Sequence, residues 1–392
     1  MERDSQMMRD FTEKDWEALD VQDREEEKIA GESVSLGREA FYQFRKKKTA
    51  VLGVVLVLFI LLFAIVGPFF TTHSYDEQTL VYVSMSPILK VYVINDNYYY
   101  VTSGSKVIAI NQDGTLGETI RSDSEDMTNK RYVFTIEGET YYLNYRNSPS
   151  TLEDTDGNIL PTSRVLNKTY PLGTDDLGRD ILVRLMYGTR VSLTVAFVAT
   201  LVTLLIGTLY GSISGYLGGM VDNVMMRIVD IISAIPLTMY VILIMVLFDN
   251  GGLVSIIIAI GSVYWVDMAR VVRGEILTLK KREFVGAART MGSSTGYILR
   301  KHLIPNALGP IIVTATMQIP SAIFTEAFMS FIGLGVSAPM ASWGMMCNDA
   351  LETMQTAPYQ LAFPAIAICI AMFAFNFIGD GLRDAFDPQM RK

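Results

Sequence analysis

Residues 283–310 read EFVGAARTMGSSTGYILRKHLIPNALGP, a basic, glycine-punctuated segment set between two long apolar runs. From Arg270 to Lys301 there are eight Lys or Arg against only two acids, Glu275 and Glu283. Such an excess of positive charge marks a short connection between membrane spans as cytosolic. Within it, Glu283 to Met291 predicts a short helix stopped by Gly292. Ala287 and Ala288 form a small, flat patch, and Pro305 ends a second, turn-rich piece. Small side chains let another protein's surface approach closely, so the segment predicts a docking partner.

The surroundings set the class. Hydrophobic residues make up 50% of the 392, mean hydropathy is +0.29, and the charges are bunched rather than spread. That pattern describes an integral membrane protein. A spanning helix needs roughly 20 apolar residues, and the gaps between charges predict six spans. They are Thr49–Phe70, a stretch within Val191–Val221, Ile228–Phe248 with Pro236 as a kink, a run after Gly251-Gly252 to Val266, Ile311–Phe331 and Leu361–Ile378. The cluster Arg45-Lys46-Lys47-Lys48 before the first span places the N-terminus in the cytosol, and an even count returns the C-terminus there. Gly333 to Gln360 carries no Lys or Arg, which agrees with an outside location. The stretch before the first span is too long and acidic for a secretory signal, so that span is read as a retained anchor.

Residues 1–48 are acidic and polar up to that basic cluster and predict a mobile or partly helical cytosolic tail, either a contacting arm or a solvated extension. Residues 72–168 differ, with short Tyr/Val/Ile runs separated by turn residues. They predict a small extracytoplasmic β domain with strands at Ile88–Ile94, Tyr98–Thr102, Lys106–Ile110, Tyr132–Ile136 and Thr140–Tyr145. Asn95-Asp96-Asn97, Ser103-Gly104-Ser105, Asp113-Gly114 and Glu137-Gly138 supply the turns, and Arg121–Lys130 reads as a polar loop. The tyrosines at 98–100 and 141–142 suit either a sheet core or a wet contact surface. Asp154-Thr155-Asp156-Gly157-Asn158 opens like a calcium loop but lacks the closing glutamate, so a turn is the better reading.

Several segments together resemble a known family. Gly286-Ala287-Ala288 with Gly292, followed by His302-Leu303-Ile304-Pro305-Asn306, is similar to the EAA loop of bacterial ATP-binding-cassette importer permeases. The C-type subunits of oligopeptide and dipeptide permeases are the nearest subtype. Pro171 to Asp180 (PLGTDDLGRD), Ala269 to Gly274 (ARVVRG), Phe331 to Val336 (FIGLGV) and Gly379 to Pro388 (GDGLRDAFDP) extend the resemblance in order through residues 170–392. It implies an all-α polytopic fold of type I importer permease architecture with six spans, here carrying an inserted β-rich domain longer than the family pattern. It also implies that the loop 275–310 forms a coupling helix docked on a separate ATPase. Coupling then falls to Glu283, Gly286, Ala287, Ala288, Gly292 and Pro305. Gly286 stands where the motif places Glu, and Glu283, one turn earlier, can present a carboxylate to the same surface. The implied partners are a second permease subunit, two ATPase subunits that hold ATP and Mg²⁺, an extracellular binding protein, a peptide substrate and the bilayer. Nucleic acid is not among them.

The remaining residues argue against chemistry on the chain itself. It has no G-x-x-x-x-G-K-[ST] loop, no H-E-x-x-H and no C-x-x-C. His73 and His302 are far apart in the predicted topology, and Cys347 and Cys369 predict free, packed thiols. Neither a cofactor nor a metal is expected. Glu326 and Asp267 are carboxylates inside apolar runs and are candidates to line a translocation path. Glu326 fits a path residue or a hydrogen-bonded helix contact, and Asp267 suits an ion pair with Arg270. Arg227 pairs with Asp230, Leu172–Arg184 reads as a capped interfacial helix, and Trp343 as an outer-interface anchor. A solute other than peptide, such as nickel, and a self-sufficient secondary transporter are the alternatives.

Overall fold

The computed structural model describes residues 36–146, 149–247, 252–336 and 339–387. The charged run Arg24 to Lys28, and with it most of the predicted tail, lies outside them. The helices, in chain order, are α1 (Leu36–Lys46), α2 (Lys48–Val66), α3 (Ile181–Leu217), α4 (Gly219–Ala234), α5 (Leu237–Leu247), α6 (Leu253–Leu279), α7 (Glu283–Thr290), α8 (Thr295–Ile298), α9 (Ile304–Met329), α10 (Trp343–Asp349) and α11 (Tyr359–Phe386). Among the described residues five helical stretches are long and apolar enough to cross a membrane, or six if α4 and α5, bent by 90° at Pro236, count as one. Proline removes a backbone donor and its ring clashes with the preceding turn, so the bend is a break rather than a gentle kink.

Helices extend past the charges that bound the apolar runs. α6 continues from Val266 through Asp267, Arg270 and Arg273 to Leu279, and α3 starts at Ile181, ten residues before the charge-free stretch. Asp180 sets that start, its carboxylate accepting the N–H groups of Leu182 at 2.8 Å and Val183 at 3.4 Å. Such a cap is worth about 1 kcal/mol. The expected interfacial helix over Leu172–Arg184 is not formed before this point. Gly178 (φ 73°) takes the left-handed conformation and turns the chain instead. Pro305 likewise opens α9 rather than closing the piece before it, since its missing N–H costs nothing in a first turn.

α3 and α6 run parallel. Gly207 lies against Met268, Gly211 against Ala269 and Val272, and Gly215 against Arg273 and Ile276, so residue numbers rise together along the contact. A Cβ on Gly211 would sit 2.4 Å from the Ala269 carbonyl oxygen, which shows how closely the two backbones approach. Parallel neighbours need a return path between them, and α4 with α5 provides it. α11 is antiparallel to both α2 (Gly381 against Ala50, Gly53 against Phe377) and α9 (Gly379 against Met317, Gly309 against Phe386). The bundle therefore has an insert end, where α3 and α11 begin, and a far end, where α3, α6 and α11 finish. Leu52, Val55, Phe59 and Leu62 of α2 stay exposed, an outward apolar face suited to lipid.

Among its described residues the insert contains nine strands: β1 (Ile88–Ile94), β2 (Asn97–Val101), β3 (Val107–Ile110), β4 (Leu116–Ile120), β5 (Ser124–Asp126), β6 (Arg131–Ile136), β7 (Glu139–Asn144), β8 (Thr151–Glu153) and β9 (Thr162–Leu166). They form two antiparallel sheets, ordered β4-β3-β2-β1-β9 and β5-β6-β7-β8, rather than one five-stranded sheet. The five expected strands are present, and β5 occupies part of the expected polar loop. Tight turns fall at Asn95-Asp96 and Glu137-Gly138, all with positive φ. The Glu137 carboxylate joins the sheets by accepting from Asn95 Nδ2 (3.0 Å), Asn97 Nδ2 (2.6 Å) and the Tyr99 hydroxyl (3.2 Å). Strand alternation divides the tyrosines: Tyr92, Tyr99 and Tyr141 fill the core between the sheets with Phe134 and Leu143, while Tyr98 and Tyr100 pack on the other face near Met85 and Leu89. Asp154 caps a plain turn, accepting the N–H groups of Asp156 (2.9 Å) and Asn158 (2.8 Å).

Candidate functional site: the far-end helix and the buried charges that brace it

α7 is the helix expected from the opening segment, and its ends follow from its residues. Arg282 is extended (φ −74°, ψ 148°) and Glu283 stands in the first turn, where a carboxylate favours the helix dipole. At the other end Gly292 (φ 79°) donates to the Arg289 carbonyl at 2.9 Å and Ser293 donates to Ala288 at 3.0 Å. This paired termination needs a left-handed residue, which glycine adopts without a Cβ penalty.

Helical periodicity then sorts the α7 side chains. Val285 and Ala288 are buried against Tyr216, Ile276, Ile298, Leu303 and Ala307. Glu283, Gly286, Ala287 and Thr290 fall on the opposite stripe and are exposed. The expected patch is therefore Gly286 with Ala287, while Ala288 anchors the helix inward. Nothing lies within 4 Å of where a Gly286 Cβ would be. Phe284, Met291 and Tyr297 add exposed apolar surface at the same end. The sequence reading missed these three, although bulky apolar side chains in a charged loop are themselves a docking signal.

This end is braced by charge. Arg289 lies over the Tyr216 ring, 5.2 Å from its centroid, and ties α7 to the last turn of α3. Lys280 Nζ donates to the Gly215 carbonyl at 2.7 Å, satisfying a free carbonyl at the end of α3. Arg273 forms a two-pronged pair with Asp222 (2.5 and 2.6 Å), which also accepts from Ser214 Oγ at 2.5 Å, fixing α4 against α6 and α3.

The insert end has its own buckle. Asp175 and Asp349 share Arg179 and Arg184: Arg179 Nε reaches Asp175 at 2.6 Å, Arg184 also pairs with Asp175, and both guanidiniums reach Asp349 at 3.2 and 3.1 Å. The arginine side chains are 8% and 3% exposed, so a buried network joins the approach to α3 with α10. Thr174 extends it, donating to the Tyr82 carbonyl, accepting from the Met85 N–H at 2.8 Å and, through its own carbonyl, from Gln360 Nε2 at 2.9 Å. The buckle thereby clips the insert to α3, α10 and α11.

Glu326 is fully buried at the junction of α3, α9 and α10. It accepts hydrogen bonds from Ser192 Oγ and Ser330 Oγ, both at 2.8 Å, and Ser192 in turn accepts the Trp343 N–H at 3.3 Å. Trp343, expected at the membrane interface, is 1% exposed instead, with its indole N–H on Thr189 Oγ1 at 3.2 Å. Asp267 is exposed and 3.7 Å from Arg270, and Arg227 lies 3.6 Å from Asp230. Both cysteines are free, Cys347 buried and Cys369 exposed rather than packed. Among the described residues no group of three or more His, Cys, Asp or Glu could hold a metal ion.

Residues 207–392, which span the glycine seam, α7 and the far-end braces, match the family described as the inner membrane component of binding-protein-dependent transport systems. Residues 35–87 match the N-terminal transmembrane domain of oligopeptide transport permease C. The chain is 38% identical over 366 residues to the oligopeptide transport system permease protein OppC of Bacillus subtilis, covering 93% of this chain and 94% of that protein. The chain belongs to this permease family. The permease is also 35% identical over 380 residues to the dipeptide transport system permease protein DppC of Bacillus subtilis and 48% identical over 239 residues to OppC of Escherichia coli. The first of these two covers 96% of this chain and 94% of the relative, the second 61% and 79%. Alignments over 93% and 96% of the permease leave too few residues outside to exclude the insert, so these two Bacillus subtilis relatives share it, whereas the alignment with OppC of Escherichia coli covers only 61% of the permease. An inward-facing methionine transporter structure, MetNI, aligns with 52% of the permease and 96% of its own chain at 22% identity, with a TM-score of 0.44. The permease is thus a non-catalytic membrane component of a binding-protein-dependent transporter.

Proposed function

We propose that this permease pairs with a second permease subunit to form the path by which an ATP-driven importer moves oligopeptides or dipeptides across the bacterial cell membrane. Two ATPase subunits supply ATP hydrolysis from the cytosol, and an extracellular binding protein delivers the peptide. On this reading the bundle crosses the membrane six times with both termini in the cytosol. α7 then faces the ATPase, and the β insert stands outside the cell near the binding protein. The positive excess from Arg273 to Lys301 supports that orientation.

The observation that carries the proposal is the α7 stripe of Glu283, Gly286 and Ala287, presented outward while Val285 and Ala288 root the helix against α3, α6 and α9. A partner seated on the stripe pushes on the bundle through those two anchors. Gly292 ends the helix and Pro305 starts α9, so both coupling candidates shape the platform from behind it. Glu326 serves the path as a strut holding α3, α9 and α10 together. The test is co-purification of the ATPases with tagged permease. Ala287→Arg places a long charged side chain on an exposed position and is expected to abolish capture while leaving the permease folded. Glu283→Ala is expected to weaken capture if that carboxylate replaces the one absent at Gly286. Undiminished capture by Ala287→Arg overturns the docking face, and undiminished capture by Glu283→Ala leaves the small-residue patch as the sole contact.

A further inference from the structure

Fourteen residues, Leu253 to Val266, separate the start of α6 from its first charge. At 1.5 Å per residue they cover about 21 Å, short of the roughly 30 Å hydrocarbon core, so the membrane-crossing part of α6 has to include Asp267 and Arg270. Both side chains are open, 75% and 43% exposed, and Asp230 of α4 beside them is 52% exposed. Charges at this depth are too costly to face lipid and turn toward a cavity or a polar partner. A cavity of about 350 Å³ is present at this place, opened by the 90° break at Pro236. Pro236, Leu237, Val263 and Tyr264 give it an apolar wall, and Asp267 and Arg270 stand at its edge.

The charges form a row of alternating sign. Arg270 is 3.4 Å from Asp230 and 3.7 Å from Asp267, and its shortest contact, 2.7 Å, is to Ser233 Oγ. The braces at either end of the bundle have pairs at 2.5–2.6 Å, mostly buried. These pairs are longer and open, so an incoming ion can replace either partner without uncovering a buried charge. A cavity of this size matches the lower end of small-ligand sites.

We infer that Asp230, Arg270 and Asp267 form a way-station for the two ends of a peptide in transit, with the acids taking the ammonium terminus and Arg270 the carboxylate. The apolar wall around Pro236 takes a side chain. This inference rests on the peptide-import reading. It makes the row a selector for zwitterionic chains that pass it end by end.

The experiment uses the assembled transporter with its partner permease, ATPases and binding protein in membrane vesicles, in a Cys369→Ala background. Asp267→Cys is expected to react with a charged, membrane-impermeant methanethiosulfonate reagent in at least one nucleotide state. Phe59→Cys, on the outward face of α2, is expected to resist it. Saturating tripeptide with ATP is expected to slow, at least threefold, the reaction of Val263→Cys, which lies on the cavity wall and leaves the charge row intact. Asp267→Asn is expected to lower radiolabelled tripeptide uptake about tenfold while ATPase capture stays normal. Asp267→Cys as unreactive as Phe59→Cys in every state means that the row is sealed against the second permease subunit, and overturns the inference. So does labelling of Val263→Cys that tripeptide leaves unchanged, or full uptake by Asp267→Asn. A wild-type complex that assembles yet imports no peptide overturns the transport reading itself.

Discussion

Asp175→Asn tests the buckle at the insert end. The Asp175 carboxylate uses Oδ1 for the N–H groups of Leu177 and Arg179, both at 2.9 Å, and Oδ2 for the guanidiniums of Arg179 and Arg184. An asparagine keeps the first pair through its amide oxygen but turns an NH₂ donor toward two donors. Two charge-assisted bonds, about 1.5–3 kcal/mol each, are lost. Asp349 still reaches both arginines, so the cost falls near the lower bound for breaking a buried pair, about 3 kcal/mol. In a chain of this size that lowers the thermal midpoint by about 4 °C. Unfolding of purified permease in detergent, followed by tryptophan fluorescence, measures it, because Trp343 lies on α10, the helix the buckle holds. Adding Arg184→Met removes the stranded cation and is expected to recover at least half of the loss. A fall below about 2 °C for Asp175→Asn, or simple additivity in the double variant, refutes the network as a fastener.

Burial, and next the neighbouring Asp175 charge, push the Asp176 carboxyl above its ordinary 3.8, so the folded chain holds that proton more tightly than the unfolded one. The residue's contribution to stability therefore improves as pH falls through the raised value and levels off below 3.8. Asp176→Asn is expected to flatten that acid-side trend without loss at pH 7, as read from midpoints across pH. Burial pushes the Cys347 thiol up to about 11, so at pH 8 about one thiol in a thousand is ionised and iodoacetamide is expected to modify it only after unfolding. Gly211→Ala forces a Cβ to 2.4 Å from a carbonyl oxygen of α6 and is expected to cost about 1–3 kcal/mol in the same unfolding assay. Gly286→Ala meets nothing and gains about 1 kcal/mol of helix propensity, expected to slow α7 amide exchange about fivefold in the isolated permease.

Features written in local chemistry were legible in the sequence. α7 follows from its glycine stop and short apolar pattern, and the central strands β1, β2, β3, β6 and β7 follow from β-branched and aromatic runs between tight turns. The edge and short strands β4, β5, β8 and β9 were not legible. Ser124–Asp126 and Thr151–Glu153 are three-residue pieces with little apolar content, paired only because β6 and β7 lie beside them. Charges misled the span boundaries because a helix ladder continues through Arg270 and Arg273 as readily as through valine. The segment 171–180 misled more seriously, since its three aspartates and two glycines resemble a helix start yet form turns around a buried ion network. Only tertiary contact with Asp349, far along the chain, reveals that network. Ala288 and Trp343 were misplaced for the opposite reason: residue type suggested a surface, and packing placed both inside.

α3 is 37 residues long, contains no proline, and is gripped at both extremities, by the buckle at one and by Lys280 and Arg289 at the other. At 1.5 Å per residue it is a rod of about 55 Å. A rod seated against α6 along a smooth glycine seam is expected to tilt as a unit instead of bending, carrying displacement at α7 to the insert. The insert is thereby a pointer on a dial. A fluorophore pair spanning the insert and a fixed partner would report from one side of the bundle what was done to it on the other.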